Sequence, residues 1–139
     1  MARRLILDSG AVIALAAGEP AALVVVAAAV ADGAPVIIPA PVVAETTRGT
    51  NADAPVNRVI RRATGGVAPV DERVARLAGR LLRGLGDGRA AHAPPTVDAL
   101  VVAVALAAGG GTILTGDRAD LGALAADHPQ VRILALADI

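Results

Sequence analysis

Two stretches near opposite ends of the chain carry the same pattern. Leu5-Ile6-Leu7 runs directly into Asp8, and Thr112-Ile113-Leu114-Thr115 runs through Gly116 into Asp117. Short unbroken apolar runs read as strands covered on both faces, the kind that fill the middle of a parallel sheet. In open α/β sheets ligands bind beyond the carboxyl ends of the strands. Asp8 and Asp117 are therefore expected at one rim, with Gly10 freeing the backbone to turn straight after the first strand. We expect the two strands to be neighbours and their carboxylates to face one crevice.

The stretches between them alternate in the manner of an α/β protein. Ala11 to Ala17 predicts a short helix stopped by Gly18, and Pro20 opens a second that runs to about Asp32. Val36-Ile37-Ile38 is the next strand, closed by Pro39, and Pro41 opens a helix holding Val42, Val43, Glu45 and Arg48, with Gly49 as its stop. Asn51 to Ala54 reads as loop, followed by a helix from Pro55 and a weak strand from Val67 to Val70. Asp71 is a candidate N-cap for the clearest amphipathic helix. There Val74, Leu77, Ala78, Leu81 and Leu85 share one side, and Arg73, Arg76, Arg80 and Arg83 the other. Its apolar stripe is expected to pack on the sheet, and its arginine row reads first as a solvated face. An apolar helix from Thr96 to Ala108, the Gly109–Gly111 connector, a helix near Leu121–Ala126 and a strand from Val131 to Leu134 complete the order. The expectation is a single domain over residues 1–139, a three-layer α/β/α sandwich around a mainly parallel sheet.

Composition removes several classes of function. Of 139 residues 55% are hydrophobic, which argues against disorder, yet Phe, Tyr and Trp are absent. Small aliphatic side chains must build the core, and no ring is available to stack a nucleobase. Formal net charge is zero and every basic residue is Arg, so bulk attraction to a polyanion is not implied. With no Cys there is neither a disulfide nor a thiolate ligand or nucleophile. Asp8 and Gly10 interrupt the apolar core a signal peptide needs, and the run from Ala21 to Ala31 is too short to span a bilayer. We expect a soluble, cytoplasmic protein without membrane contact.

Four carboxylates stand out by position: Asp8 and Asp117 beyond strands, Asp98 in the first turn of an apolar helix, and Glu45 on the segment following a strand end. Taken singly, each has an ordinary reading. Asp8 would cap the next helix, Asp117 would sit in a turn, Glu45 would be solvated, and Asp98 would complement a helix dipole. Gathered at one rim they would repel one another, and a hard divalent cation with oxygen ligands resolves the repulsion. Such an ion lowers the pKa of bound water and polarises a phosphoryl oxygen.

At this point the pattern resembles the PIN-domain ribonucleases, most closely the VapC-type toxins of bacterial toxin–antitoxin pairs. The likeness rests on Leu5-Ile6-Leu7-Asp8-Ser9 with Ala11-Val12-Ile13-Ala14-Leu15, on Val43-Ala44-Glu45 with Arg48-Gly49, on Val97-Asp98-Ala99-Leu100-Val101-Val102-Ala103, and on Leu114-Thr115-Gly116-Asp117. It implies that Asp8, Glu45, Asp98 and Asp117 are the metal-binding, catalytic acids of a Mg²⁺- or Mn²⁺-dependent RNA endonuclease. Asp120 would be an outer acid. Ser9 and Thr115 would orient metal-bound water, or else bond the local backbone. An aromatic residue often met in these proteins has no counterpart here, and lysine is absent, so RNA contact falls to arginines such as Arg48, Arg89 and Arg118, with the Arg73/Arg76/Arg80/Arg83 row a further candidate whose first reading is a solvated face. The resemblance further implies a homodimer silenced by a cognate antitoxin, whose arginine would compete with the cation for the carboxylates. His92 and His128 are given no role.

Two rivals belong to other classes. A receiver-like phosphotransferase would use Asp8, but the second acid such sites want two residues on is replaced by Gly10. A non-catalytic module would use the acids to hold a basic peptide and would bind no Mn²⁺. A dinucleotide fold lacks G-x-G-x-x-G after its first strand, and Ser9 lacks the G-x-S-x-G setting of a serine hydrolase.

Overall fold

Leu5–Leu7 forms β1, whose three side chains are all buried, and the continuous apolar run has the double-sided cover it implied. The computed structural model describes residues 3–86 and 93–139. β1 lies at the centre of a five-stranded sheet with β2 (Val36–Pro39), β3 (Gly66–Ala68), β4 (Gly111–Thr115) and β5 (Val131–Ala135), in the order β3-β2-β1-β4-β5. Every pairing is parallel. As expected, β1 and β4 are neighbours, with Leu5, Ile6 and Leu7 opposite Thr112, Ile113 and Leu114.

The chain steps outward from β1 through β2 to β3, then recrosses the sheet to β4 and β5. Right-handed crossovers put the helices of the outward leg on one face and those of the return leg on the other. Accordingly α1 (Ser9–Ala16) packs with α2 (Pro20–Ala31) and α4 (Ala54–Arg62), while α5 (Glu72–Gly84), α6 (Thr96–Ala107) and α7 (Ala119–Leu124) pack together. The short α3 (Ala40–Thr46) touches both α1 and α6 at the rim. The strand order reverses between β1 and β4, the switch point where such sheets open a crevice.

Several elements depart from the sequence expectation. Helix α1 begins at Ser9, not Ala11, because Asp8 itself is its N-cap. Pro39 is the last residue of β2, opposite Ala68, and lies inside the strand it was expected to close. Residues Asn51–Asp53 form one 3-10 turn where loop was expected, and Leu136–Asp138 form another after β5. Helix α3 stops at Thr46, leaving Arg48 outside it. The hydroxyls of Thr46 and Thr47 donate to the carbonyls of Val42 and Val43 at 2.8 and 2.7 Å, a local alternative to further helix.

Helix α5 has the predicted cap, Asp71, accepting from the Val74 amide at 2.9 Å, and the predicted buried stripe of Val74, Ala78 and Leu81. That stripe meets α6 as its main neighbour, not the sheet. The reason lies in α6, which buries Ala99 and Val101–Ala105 and so is apolar nearly all round. A helix of that kind must be covered on both sides, by the sheet and by α5. The core is aliphatic, with Ile6, Leu7, Ile38, Ile113, Leu114 and Leu121 its largest fully buried side chains. The glycine connector serves a close approach: at Gly110 (φ +100°) a Cβ would stand 2.6 Å from the Gln130 carbonyl oxygen. Among the described residues no single helix is long and apolar enough to cross a membrane.

Candidate active site

Because the strands are parallel, the segments following β1, β2 and β4 emerge at one edge, and the acids arrive there from separate parts of the chain. Asp8 closes β1 and caps α1, its Oδ1 accepting from the Ala11 amide at 2.9 Å. Its side chain is buried, at 8% exposure. Burial raises its carboxyl above the ordinary range and Glu45 adds to that, while the Thr115 hydroxyl and the Ala11 and Gly10 amides pull it down. The plain capping role and a place in the crevice thus belong to the same residue.

Glu45 projects from α3 and is exposed. Its Oε1 accepts from the Ser9 hydroxyl, which joins the first turn of α1 to α3. Asp98, in the first turn of α6, is half-buried, and its carboxyl is pushed up to about 6. Burial is the main cause, and Asp120, Asp8, Glu45 and Asp117 each raise it further. All the other acids are thus close enough to oppose ionisation of Asp98.

Asp117 follows β4 in a turn set by Thr115. The Thr115 Oγ1 accepts from the Asp117 amide at 3.0 Å and donates to the Asp117 carbonyl at 2.9 Å, and Asp117 Oδ1 accepts from the Ala119 amide at 2.9 Å. Thr115 is 1% exposed. Its hydroxyl makes these local backbone bonds and also faces the Asp8 carboxyl. A cleft of about 240 Å³ is lined by Asp8, Asp98, Asp117 and Asp120 with Gly10, Thr115 and Gly116. Glu45 is not part of this lining, and stands beside it on Ser9. At the floor two backbones touch: a Cβ on Gly10 would lie 2.9 Å from the Gly116 nitrogen.

Two of the arginines assigned to RNA, Arg48 and Arg118, are exposed and make bonds within the chain. Arg48 Nη1 donates to the carbonyls of Ala44 and Thr47 at 3.0 and 2.7 Å, capping the end of α3. Arg118 Nη2 donates to the Ile133 carbonyl at 3.0 Å and its Nη1 lies 3.4 Å from Asp138, fastening the chain end beyond β5. Arg89 and His92 lie outside the described residues. Sequence reading missed Asp53, buried at 8% exposure, which accepts the Arg48 amide on both oxygens at 3.0 Å and the Gly49 amide at 2.7 Å. An Asp just ahead of Ala54-Pro55 carries the signal of a helix N-cap. Here it turns back to hold the exit of α3.

The donor set fits a hard divalent cation. It is all oxygen, and among the described residues no basic side chain is paired with Asp8, Glu45, Asp98 or Asp117. Among those residues no three such side chains converge into a ready-made ligand group. Mg²⁺ does not require one, since it is held by one or two carboxylates with waters and substrate phosphate. A second, apolar groove of about 320 Å³ lies between α1, α2 and α4, lined by Leu15, Leu23, Val26 and Val59 with Arg58 and Arg62. It contains no acid.

Comparison with known proteins gives a consistent picture. The model of the PIN domain family matches residues 5–126. No protein of curated function matches the sequence. Among solved structures, VapBC2 from Rickettsia felis, bound to a DNA fragment from its promoter, is similar with a TM-score of 0.67 at 12% identity, over 94% of this chain and 97% of that one. FitAcB from Neisseria gonorrhoeae gives 0.64 at 16% identity over 97% and 99% of the two chains. DNA-bound VapBC from Salmonella typhimurium gives 0.67 at 14% over 96% and 98%. At these identities the likeness is one of fold, and it extends over nearly the whole of each chain.

Proposed function

The chain belongs to the PIN-domain family, and from that premise we propose that it is a metal-dependent RNA endonuclease, the toxin of a toxin–antitoxin pair. The observation that carries the reading is the setting of Asp98, a half-buried carboxyl facing four other acids with no cationic side chain paired to it among the described residues. Such a group is unfavourable in the empty protein and becomes favourable once a divalent ion neutralises it. The ion, Mg²⁺ or Mn²⁺, supplies an activated water and a Lewis acid for the scissile phosphate. Asp8, fixed by the Ala11 amide, and Asp98 hold the ion; Asp117 and Glu45 complete the anionic wall, with Asp120 outside them. Ser9 keeps the Glu45 carboxylate turned toward α1. In this reading Ser9 and Thr115 act by holding acids and turn, not by orienting water. The protein works in the cytoplasm, pairs with a second copy and is silenced by a cognate antitoxin that covers the acids.

The test is cleavage of single-stranded RNA in Mg²⁺ or Mn²⁺ by the wild type and by Asp8→Asn and Asp98→Asn. Loss of even an outer partner of a metal site reduces affinity or activity about 10–100-fold, so each ligand variant should fall by at least about 100-fold. Undiminished cleavage by both variants removes these residues from the mechanism. Calorimetric titration with Mn²⁺ that gives no heat of binding favours a non-catalytic module.

A further inference from the structure

The crevice raises a difficulty that the rest of the molecule answers. Asp8, Glu45, Asp98 and Asp117 repel the polyanion it is meant to cut, while Arg48 donates to backbone carbonyls and Arg118 to a carbonyl and Asp138. No aromatic side chain exists to stack bases, so an RNA must be held through its phosphates. Zero net charge conceals an uneven distribution, with five of the 13 acids at the crevice and seven of the 13 arginines on two helices, α4 and α5. On α4 they border the apolar groove of the opposite face.

On α5 the arrangement is different. Arg73, Arg76, Arg80 and Arg83 are all exposed. At the helical repeat they fall within an arc of about 80° and extend over about 15 Å along the axis. Val74, Ala78 and Leu81 hold the other side of the helix against α6. Only Arg76 has an acidic partner among the described residues, Glu72 at 2.7 Å, and that pair is solvent-exposed and weak. The row also begins at the rim that carries the acids. β3 runs parallel to β1, so α5, capped by Asp71 just after β3, starts at the same edge as the acids. It then packs along α6, the helix that carries Asp98.

We propose that the arginine face of α5 is the binding track for the sugar-phosphate backbone of single-stranded RNA, holding the strand beyond the scissile bond. This deepens the nuclease reading and rests on it. Guanidinium groups fork onto phosphate oxygens and read no base, so the track is indifferent to sequence and strongly dependent on salt. An acidic protein segment is the competing occupant. The apolar contacts such a segment normally adds are lacking on this charged face.

The experiment measures binding of a fluorescein-labelled 12-nucleotide oligouridine by anisotropy, in EDTA, between 50 and 200 mM KCl. The proteins are the wild type, R73Q/R80Q/R83Q, R73K/R80K/R83K, and R58Q/R61Q/R62Q as the control on α4. The glutamine variant should bind at least about 10-fold more weakly at the lowest salt, with a log–log salt slope shallower by about 2. The lysine variant should keep the slope, and the α4 variant should match the wild type. With Mn²⁺ added, the glutamine variant should show a raised KM and unchanged kcat on the 12-mer, and normal cleavage of a trinucleotide too short to reach the track. Equal binding and salt slope in wild type and glutamine variant overturn the proposal. So does equal impairment on the long and short substrates, or loss of binding to a polyglutamate peptide with RNA binding intact. If the wild type cleaves RNA and the variant matches it, only the track is lost. If the wild type neither binds nor cleaves RNA, the nuclease reading goes with it.

Discussion

Replacing Asp98 by Asn should stabilise the metal-free protein, the reverse of what most changes at a half-buried polar position do. In the folded chain the carboxyl is displaced from 3.8 to about 6, first by burial and then by Asp120, Asp8, Glu45 and Asp117. Fully expressed, that displacement penalises the ionised group by about 3 kcal/mol at pH 7. Solvent reaches part of the side chain, and screening leaves about 1–2 kcal/mol. The sign follows from proton binding. Between pH 4 and 6 the folded state holds a proton that the unfolded state has released, so the stability of the wild type falls as pH rises through that window. Above about pH 6 the whole penalty is present, and below about pH 4 it is gone. Thermal unfolding followed by far-UV circular dichroism, in EDTA from pH 4 to 8, should give Asp98→Asn a melting point about 3–8 °C higher at pH 7.5 and no higher at pH 4. Saturating Mn²⁺ should reverse the order, since ligand at 100 times its Kd adds about 2.7 kcal/mol to a protein that binds it. An Asn variant that is less stable than the wild type at pH 7.5 in EDTA, or that gains as much from Mn²⁺, refutes the reasoning.

Two further substitutions probe the support of the site. Gly10→Ala puts a Cβ 2.9 Å from the Gly116 nitrogen and 3.1 Å from its Cα, so the Asp117 turn must move. Urea unfolding should show a loss of about 1–3 kcal/mol, and the Mn²⁺-induced rise in melting temperature should shrink. Asp53→Ala strips the Arg48 and Gly49 amides of their acceptor, with an expected loss of about 1–3 kcal/mol by the same method. Wild-type stability in either variant contradicts the contact it tests.

The parts of the molecule legible in the sequence are those decided by local pattern. The apolar runs at Leu5–Leu7, Val36–Ile38, Thr112–Thr115 and Val131–Leu134 became strands, and the shared ending of the first and third correctly foretold that they lie side by side. Periodicity on α5 named the buried face but not the partner, because a 3.6-residue repeat records that something covers Val74 and Leu81 without recording what. The end of α3 was hidden by Gly49, which looks like a helix stop, whereas hydroxyls at Thr46 and Thr47 had already ended the helix. The place of Asp8, Asp98 and Asp117 around one cleft could be anticipated from strand ends and a helix start. Ser9 and Glu45, by contrast, meet across a sequence separation of 36 residues, and no local pattern announces a hydroxyl's distant acceptor. Asp53 was missed for the same reason: its position suggests the helix ahead, while its hydrogen bonds go to the segment behind.

The central place of β1 has a consequence for synthesis. Leu5–Leu7 is made about a hundred residues ahead of Thr112–Leu114, the segment that completes one of its two ladders. Domains fold as units once enough of the chain is available, and contacts this distant along the chain make folding slow. A nascent polypeptide therefore carries an open strand edge, with Asp8 and Asp117 still apart, until Thr112–Thr115 has been made. The acidic crevice comes into being only when β4 docks beside β1.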